Sequence, residues 1–397
     1  MKKLISLSLL LLSSVAFLKG TLLAASQPIV EVPFEMQHQH MFFQMKINNS
    51  RPLNFVFDTG AGMAVLNPAT AKELGINATG NLSVRGVGGM VRAPRYASLA
   101  LSVGKISLRA NAVGFSVIHL EHKIGKKIDG IIGADLLMRY VTQIDYDQKM
   151  LRFFDFEGFK YTGKGKKMRL KMMGSLATCP LTVQLPNGEK HTEDFLIDTG
   201  AGVCLGFTTS FSNTHQLTSK FAKKYRFYTS GATTNKTYLE AAKLPKLTLG
   251  GFAFQNIPVS ISNTRRGVLG TYQNGGILGN RILKRFNITF NYDRRRAYWE
   301  PNQAYQTAFR QNCAGVFFSF VDNFQHIEVY QVIKGAPAQQ AGLQKGDRIL
   351  EVQGKPVTSK DVPWIKKQLG VPNREITLKI KRKKRVKIVR MRLKAMI

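Results

Sequence analysis

Two aspartates, 140 positions apart, stand in the same local sequence. Asp58 and Asp198 each follow three apolar residues and precede Thr-Gly-Ala-Gly. A carboxylate that ends a buried strand and enters a turn permitted by glycine has a fixed position. If two such turns meet, the two carboxylates cannot both ionise, so they share one proton and titrate as a coupled pair. The ionised member can then activate water while the protonated member binds a scissile carbonyl, which hydrolyses an amide without metal or cofactor.

The sequence around these turns is duplicated. Asp129–Leu137 (DGIIGADLL) is matched by Gly275–Leu283 (GGILGNRIL), and Ile144–Asp147 is matched by Phe290–Asp293. A repeat of about 140 residues explains this better than coincidence. Short apolar runs between Gly, Asn and Pro turns predict two β-rich units, which would bring Asp58 and Asp198 together if they pack about a pseudo-twofold axis. The clearest predicted strands are Phe55–Phe57, Leu99–Val103, Phe195–Ile197 and Lys246–Leu249, and the clearest short helices are Pro68–Leu74 and Leu136–Tyr140.

These residues resemble the aspartic proteases, and the Asp-Thr-Gly-Ala form is most similar to the retropepsin-like branch. The family pairs this turn with a later apolar-apolar-Gly element, which is found here at residues 131–133 and 277–279. The likeness covers about Ile29 to Pro301. It implies catalytic roles for Asp58 and Asp198, bracing of the two loops by Thr59 and Thr199, and turns permitted by Gly60 and Gly200. Retropepsins are usually homodimers of one lobe, so a chain with both lobes implies a monomer sufficient for activity.

In such a protease, a flap is expected between each aspartate and the later glycine. Residues 85–90 (RGVGGM) predict the hairpin tip of the first flap through Gly86, Gly88 and Gly89, and residues 230–232 are a weaker counterpart. An ordinary surface hairpin is the alternative. A phosphate-binding loop has less support, because no Gly-Lys-Ser/Thr follows the glycines.

From about Asn312 the pattern changes to that of a third module. Residues 335–338 (GAPA), a helical stretch at 339–343 and residues 345–352 (KGDRILEV) resemble a bacterial PDZ domain. A PDZ domain adds an extended peptide to its sheet and holds a terminal carboxylate in a backbone nest. The resemblance therefore implies protein C-termini or extended segments as partners. The candidate peptide-binding loop comprises Gly315, Val316, Phe317 and Phe318, which could instead be an ordinary first strand.

The basic C-terminus is predicted to be a β-hairpin. Ile376, Leu378 and Ile380 alternate with polar residues, as do Val386 and Ile388, and alternation resumes at Val389 after a shift of one residue. Alternation indicates a half-buried hairpin with lysines on its wet face, and the shift suggests a β-bulge. A nucleic-acid-binding tail is the less favoured interpretation.

The first 26 residues have the layout of a bacterial secretory signal peptide. Lys2 and Lys3 precede an apolar run over residues 4–18, and the small residues Ala24, Ala25 and Ser26 follow. That run is shorter than the ~20 residues of a bilayer span, so we favour a cleaved signal over an uncleaved anchor. Export to the periplasm or beyond is therefore expected, and no nucleic-acid partner.

Composition supports a folded, strongly basic protein. The 397 residues include 58 Lys and Arg against 24 acidic residues, a net charge of +34, and 44% are hydrophobic. Such a chain is not a disordered tail, and its charge favours non-specific binding to anionic surfaces. Three cysteines exclude a disulfide-built miniprotein, and a bond between Cys179 and Cys204 is left open. His38 with His40 and His119 with His122 lack partners at metal-site spacing, so no metal site is predicted.

Together these patterns predict a mainly β protein with two pseudo-twofold-related aspartic-protease lobes and an α+β PDZ-like domain. The expected segments are a signal peptide at 1–26, lobes at 27–157 and 158–305, and a PDZ domain at 312–397. The predicted function is an exported aspartic endopeptidase that needs no cofactor and whose PDZ domain recruits polypeptide substrates. The alternative is a catalytically silent, pepsin-shaped peptide-binding scaffold, which the same sequence features also permit.

Overall fold

A computed structural model of the chain describes residues 26–86, 89–229 and 236–397. The predicted fold class is confirmed: two β lobes related by a pseudo-twofold axis are followed by an α+β domain. The predicted signal peptide lies almost wholly outside the described residues. Among the described residues, no helix combines the length and the apolar character needed to cross a bilayer.

The strands of the first lobe are β1 (Val30–Pro33), β2 (Glu35–Gln37), β3 (His40–Ile47), β4 (Leu53–Phe57), β5 (Ala64–Leu66), β6 (Asn81–Gly86), β7 (Gly89–Val103), β8 (Ile106–Gly114), β9 (Gly130–Ile132), β10 (Val141–Asp145) and β11 (Met150–Phe154). Strands β2 to β9 form an eight-stranded sheet in the order 2-3-4-9-5-8-7-6, whereas β1, β10 and β11 belong to a separate sheet. Its helices are α1 (Pro68–Glu73), α2 (Ile118–Ile124) and α3 (Ala134–Leu137).

The strands of the second lobe are β12 (Lys166–Arg169), β13 (Lys171–Met173), β14 (Leu176–Gln184), β15 (Lys190–Asp198), β16 (Leu205–Phe207), β17 (Tyr225–Thr229), β18 (Thr237–Leu249), β19 (Phe252–Ser262), β20 (Gly276–Gly279), β21 (Phe286–Asn291) and β22 (Arg296–Pro301). Strands β13 to β20 form a second eight-stranded sheet in the order 13-14-15-20-16-19-18-17, which repeats the plan of the first lobe. Its helices are α4 (Thr209–Thr214), α5 (Leu217–Lys220), α6 (Gly267–Thr271) and α7 (Asn280–Leu283).

A third sheet joins the two lobes beneath the predicted catalytic turns. Its order is 1-11-10-21-22-12, and the lobes meet where β10 pairs with β21, with Thr142 opposite Phe290. Ile144, Phe290 and Trp299 are fully buried in one core that extends into both lobes. Because the lobes share this core, the relative position of their central turns is fixed by packing.

The C-terminal domain has its own core and its own sheet. Its strands are β23 (Val316–Val321), β24 (His326–Val332), β25 (Arg348–Val352), β26 (Lys355–Pro356), β27 (Glu375–Arg382) and β28 (Arg385–Arg392), with helices α8 (Pro337–Gln340) and α9 (Val362–Gln368) and a 3₁₀ turn at Ser359–Asp361. The strand order 23-24-25-27-28 places β23 at one edge of this sheet and β28 at the other.

The C-terminal hairpin is present, but the predicted bulge within it is wrong. β27 and β28 pair without interruption from Glu375–Arg392 to Arg382–Arg385. Val389, Met391 and Leu393 are buried, whereas Val386 and Ile388 are 55% and 54% exposed. Because successive side chains of an uninterrupted strand alternate faces, Val386 and Ile388 lie on the solvent side of the sheet, opposite Val389 and Met391, and the shift marks a change of face rather than an inserted residue. Irregular pairing in this sheet occurs instead between β25 and β27, at Ile349–Glu351, and between β23 and β24, at Phe317–Phe318.

The predicted short helices lie close to their expected positions. The helix expected at Pro68–Leu74 is α1, whose first turn is capped by the Asn67 side chain, which accepts a hydrogen bond from the Ala69 amide at 3.2 Å. The helix expected at Leu136–Tyr140 is α3, which begins two residues earlier, because it follows directly on β9 and Gly133. Helices α2 and α9 were not predicted, and both lie against the junction between the lobes and the C-terminal domain.

Candidate active site

Each predicted catalytic aspartate lies at the end of the central strand of its lobe. In lobe 1, β4 runs parallel to β9, with Phe57 opposite Ile132, and the Asp58 amide donates to the Ile132 carbonyl at 2.9 Å. In lobe 2, β15 runs parallel to β20, with Asp198 opposite Gly279. The later glycine of each repeat therefore lies directly beside the aspartate turn.

These later glycines are required by the close approach of the chain. A Cβ on Gly133 would overlap the carbonyl oxygen of Asp58, and one on Gly279 would lie 2.7 Å from the carbonyl oxygen of Ala201. The residue after each glycine holds the turn: the Ala134 amide donates to the Ala61 carbonyl at 3.0 Å, and the Asn280 amide to the Ala201 carbonyl at 2.8 Å. The apolar-apolar-Gly elements thus pack against the two aspartate turns and hold them by backbone hydrogen bonds.

The two turns are braced against each other by reciprocal threonine hydrogen bonds. The Thr59 amide donates to Thr199 Oγ1 at 3.0 Å, and the Thr199 amide donates to Thr59 Oγ1 at 3.0 Å. Each hydroxyl then donates across the axis, Thr59 to the Ile197 carbonyl at 2.7 Å and Thr199 to the Phe57 carbonyl at 3.0 Å. Both threonines are fully buried. The geometry is that expected of bracing residues.

Removing one of these hydroxyls should destabilise the join between the lobes. In Thr199→Val, the buried Thr59 amide loses its acceptor and the buried Phe57 carbonyl loses its donor. Each buried group left without a partner costs about 1–3 kcal/mol, so for the two groups we expect the free energy of unfolding to fall by ~2–6 kcal/mol. Urea unfolding measures this. Thr182→Val is the matched control, because that hydroxyl bonds Thr192 at the surface. A change within about 0.5 kcal/mol for both variants would contradict the bracing role.

The two aspartate side chains face each other across the axis. Each lies beside the glycine of the opposite turn: a Cβ on Gly60 would be 2.6 Å from Asp198 Cγ, and a Cβ on Gly200 would be 2.5 Å from Asp58 Oδ1. The Asp58 and Asp198 carboxyl groups are within hydrogen-bonding reach of each other. Both residues are partly accessible to solvent. The structure therefore brings together the residues that the sequence predicted as catalytic.

Each carboxylate accepts a short hydrogen bond from its own turn. Asp58 Oδ1 accepts from the Gly60 amide at 2.8 Å, and Asp198 Oδ1 accepts from the Ala201 amide at 2.8 Å. Withdrawal from water by the surrounding protein raises the pKa of Asp58 and outweighs these hydrogen bonds. The same withdrawal, with the negative charge of Asp58 added, raises the pKa of Asp198 well above its usual range. The pair therefore keeps one proton above the pH at which an isolated carboxyl loses its own.

The first predicted flap is a hairpin formed by β6 and β7. Gly86 pairs with Gly89 at its end, and Gly88 lies outside the described residues. The tip approaches lobe 2, since a Cβ on Gly89 would lie 3.9 Å from Arg266 Cβ. The hairpin therefore extends from lobe 1 towards lobe 2. The second predicted flap, residues 230–232, lies outside the described residues, between the paired strands β17 and β18.

The sequence missed a set of residues that hold the second turn. Asn280 is fully buried; its Oδ1 accepts from the Tyr146 hydroxyl at 2.6 Å, and its Nδ2 donates to the Gln39 carbonyl at 2.7 Å. His40 lies beside the backbone of Gly200, so residues 38–40 contact the catalytic turn of lobe 2. Among the described residues, no cluster of three metal-ligating side chains occurs. The sequence marks this region only by the His-Gln-His triplet at residues 38–40, whose histidines lack partners at metal-site spacing.

The predicted peptide-binding loop of the C-terminal domain lies at the start of β23. Gly315 has a φ of +70°, and the strand begins at Val316. A Cβ on Gly315 would also clash with Ala336 Cβ, so both the backbone conformation and this close approach require glycine there. A role of residues 315–318 in binding peptides stays a prediction.

All three cysteines are buried free thiols, so the pairing of Cys179 with Cys204 that the sequence left open is not formed here. Burial raises the pKa of Cys179 and of Cys204. Both thiols are therefore held in the neutral form and behave as small core residues.

Comparison with known protein families agrees with the resemblance of the sequence to aspartic proteases and PDZ domains. Residues 43–136 and 180–281 match the family model described as aspartyl protease, and residues 328–382 match the model described as PDZ domain. None of the curated proteins matches the chain. Among solved structures, the chain is similar to an aspartic proteinase from Irpex lacteus, with 13% identity, a TM-score of 0.43, and coverage of 70% of this chain and 98% of that one.

Proposed function

Because the two lobes belong to the aspartyl protease family and the C-terminal domain is a PDZ domain, we propose that the chain is an aspartic endopeptidase with Asp58 and Asp198 as its catalytic pair. The observation that carries this proposal is the pair itself. Two carboxyl groups lie within hydrogen-bonding reach in matched turns, and both residues are partly accessible to solvent.

The different surroundings of the two carboxyl groups suggest their roles. Asp198, whose pKa is raised further, holds the shared proton and donates a hydrogen bond to the scissile carbonyl. Asp58 is ionised and removes a proton from the attacking water, which adds to the carbonyl carbon. The resulting tetrahedral intermediate collapses when the carbon–nitrogen bond breaks and the leaving amine takes up a proton from the pair. No covalent intermediate is required.

The surroundings of the pair suit an extended peptide with apolar side chains. The β6–β7 hairpin reaches across towards lobe 2, as a flap over a bound peptide would. Partly buried apolar residues pack near the first turn and on this hairpin, among them Ala61, Met63 and Val84. We therefore propose that the substrate lies beneath the hairpin, with apolar side chains on either side of the cleaved bond.

We also propose that the PDZ domain recruits polypeptides and that the protein is exported. β23 is an edge strand of its sheet, the position at which a PDZ domain adds a peptide strand. The export proposal rests on the signal-like residues 1–26. Sequencing the N-terminus of the protein recovered from the periplasm of a bacterial host tests it, and Gln27 is the expected first residue.

The proteolytic function is tested with the purified mature chain and an unfolded protein substrate across pH 3 to 8. We expect new peptide termini, detected by mass spectrometry, and none from the double variant Asp58→Asn/Asp198→Asn. If the wild-type chain and the double variant give the same products, or neither gives any, the endopeptidase proposal is wrong and a silent scaffold is the better description.

A further inference from the structure

The C-terminal hairpin lies at the edge of the PDZ sheet that faces away from the protease lobes. The opposite edge strand, β23, is held against the lobes. Its Phe317 stacks on Phe227 of lobe 2 with ring centroids 5.8 Å apart, and a Cβ on Gly125 of lobe 1 would lie 2.9 Å from the ring of Phe320. Because the strand order is 23-24-25-27-28, β28 is at the edge remote from this junction.

One face of this hairpin packs on the domain core and the other faces solvent. Val389 and Met391 of β28 belong to the core of the PDZ domain. Val386 and Ile388 lie on the other face, since side chains alternate along a strand, and they are 55% and 54% exposed. Lys381 of β27 is the cross-strand neighbour of Val386 on that face. Two large apolar side chains are therefore presented to solvent beside cationic ones.

The cations around these two apolar residues have few acidic partners. No acidic residue follows Glu375 in the sequence. Lys379 pairs with Glu351 at 2.8 Å and Arg382 pairs with Asp347 at 2.6 Å. In the part of the chain that the structure describes, the other cations of residues 381–390 are exposed and form no ion pair; they are Lys381, Lys383, Lys384, Arg385, Lys387 and Arg390. We call residues 381–390 the basic tip.

The chemistry of the basic tip indicates which partner fits it. A second copy of the chain would bring like charges together, so pairing of two β28 edges is opposed by repulsion. A single-stranded nucleic acid would offer phosphates, but residues 375–397 contain no aromatic side chain on which a base could stack. An acidic polypeptide would pair with the cations and leave Val386 and Ile388 in water.

An anionic lipid bilayer meets both requirements. Its headgroups supply negative charge, which attracts clustered Lys and Arg side chains at the surface. Its interfacial layer accepts apolar side chains, while the long stems of Lys and Arg let their charged ends remain among the headgroups. Val386 and Ile388 lie on one face and within two residues of each other, so both can enter that layer together.

We propose that the basic tip attaches this protein to the surface of an anionic lipid bilayer, with Val386 and Ile388 entering the headgroup region and the six unpaired cations binding lipid phosphates. The attachment is a further function, separate from the proposed cleavage of peptides. Because the lobes contact the opposite edge of the PDZ sheet, attachment through β28 leaves the lobes accessible to substrates near the membrane.

The test uses the chain from Gln27, because the apolar run at residues 4–18 could bind lipid by itself. Cosedimentation at physiological ionic strength compares vesicles of equal parts phosphatidylglycerol and phosphatidylcholine with vesicles of phosphatidylcholine alone. Each cation near an anionic surface contributes about fivefold, so three such contacts predict about 100-fold tighter binding to the anionic vesicles. Lys383→Gln/Lys384→Gln should weaken that binding by about 25-fold on the same scale.

The apolar contribution is tested by Val386→Thr/Ile388→Thr, which keeps the branched Cβ that suits a strand. We expect binding to the anionic vesicles to weaken by about tenfold, because less apolar surface leaves water. Ile118→Thr is the matched control, since Ile118 of lobe 1 is also 54% exposed. Lys164→Gln/Lys167→Gln removes the same charge from exposed lysines of lobe 2 and controls for net charge. Both controls should bind like the wild type.

A fluorescent label at position 388 separates a bilayer from other anionic partners. The three native cysteines are buried, so a nitrobenzoxadiazole label on Ile388→Cys reports on that position alone. Its fluorescence should rise with anionic vesicles and stay unchanged with polyglutamate, which has the charge but no apolar layer. The proposal is overturned if both vesicle types bind equally, if either control weakens binding as much as its matched variant, or if polyglutamate gives the same rise. Only binding is measured, so the result does not depend on whether the chain cleaves peptides.

Discussion

Replacing either aspartate of the pair by asparagine should lower kcat by about 10³-fold or more. Asn cannot ionise and cannot donate a carboxyl proton, so Asp58→Asn removes the group that activates water, and Asp198→Asn removes the group that holds the shared proton. General acid and general base catalysis each contribute about 10²–10⁴-fold, and the two functions depend on each other here. Turnover of an unfolded protein, followed by the release of new amino termini, measures the loss.

The matched control is Asp155→Asn, which changes an exposed carboxylate just after β11. It should leave kcat unchanged.

The Asp198 variant should also keep its thermal stability. Because the pKa of Asp198 is raised in the folded state, ionising this carboxyl opposes folding as the pH rises through that pKa. Asp198→Asn should therefore unfold at the same or a higher temperature than the wild type at neutral pH. If Asp198→Asn retains more than about a tenth of wild-type activity while folded, the catalytic role assigned to Asp58 and Asp198 is wrong.

The second large effect is expected from a single methyl group at Gly200. A Cβ there would lie 2.5 Å from Asp58 Oδ1, and a Cβ at Gly60 would lie 2.6 Å from Asp198 Cγ. Real Cβ atoms do not approach other atoms so closely, so Gly200→Ala must displace the Asp58 carboxyl or the turn itself. A misplacement of about 1 Å can cost 10²-fold, and we therefore expect kcat/KM to fall by about 100-fold or more.

Gly202→Ala provides the control within the same turn. A Cβ at Gly202 meets its nearest neighbours, His40 and Gln39, at 3.5 and 3.6 Å, which is ordinary contact. This variant should keep activity within about threefold of the wild type, in keeping with the small effect of substitutions that create no clash. Equal losses in Gly200→Ala and Gly202→Ala would show that the turn is merely sensitive to any added methyl, and that the facing carboxyl groups are not the reason.

Most of the pair's surroundings could be predicted from the sequence because the chain repeats them. Phe55–Phe57 and Phe195–Ile197 end at the same residue type, and residues 131–133 and 277–279 recur at nearly the same spacing. A duplicated pattern predicts a symmetric arrangement, so the facing of Thr59 and Thr199 followed from the resemblance without coordinates. The structure adds the distances and the direction in which the pKa of each carboxyl is displaced.

The junction with the PDZ domain could not be predicted, since no local pattern encodes it. Lys366 and His38 are separated by 328 positions in the sequence, and Phe227 and Phe317 belong to different domains. The turn at His38 and Gln39 has positive φ values of 47° and 76° at residues that carry no glycine-like signal. In the C-terminal hairpin, the apolar type of Val386 and Ile388 predicted burial, but these residues lie on the outer face of the sheet, on the side away from the core.

The pH dependence of kcat/KM for a short fluorogenic peptide tests the shared proton most directly. A pair that must hold one proton gives a bell-shaped profile, in which the acid limb reports the first ionisation of the pair and the alkaline limb reports the second. Because the pKa of Asp198 is raised well above its usual range, we expect the alkaline limb to lie above the pH at which an ordinary aspartate ionises. A rate that rises with pH to a plateau and never falls would contradict the account.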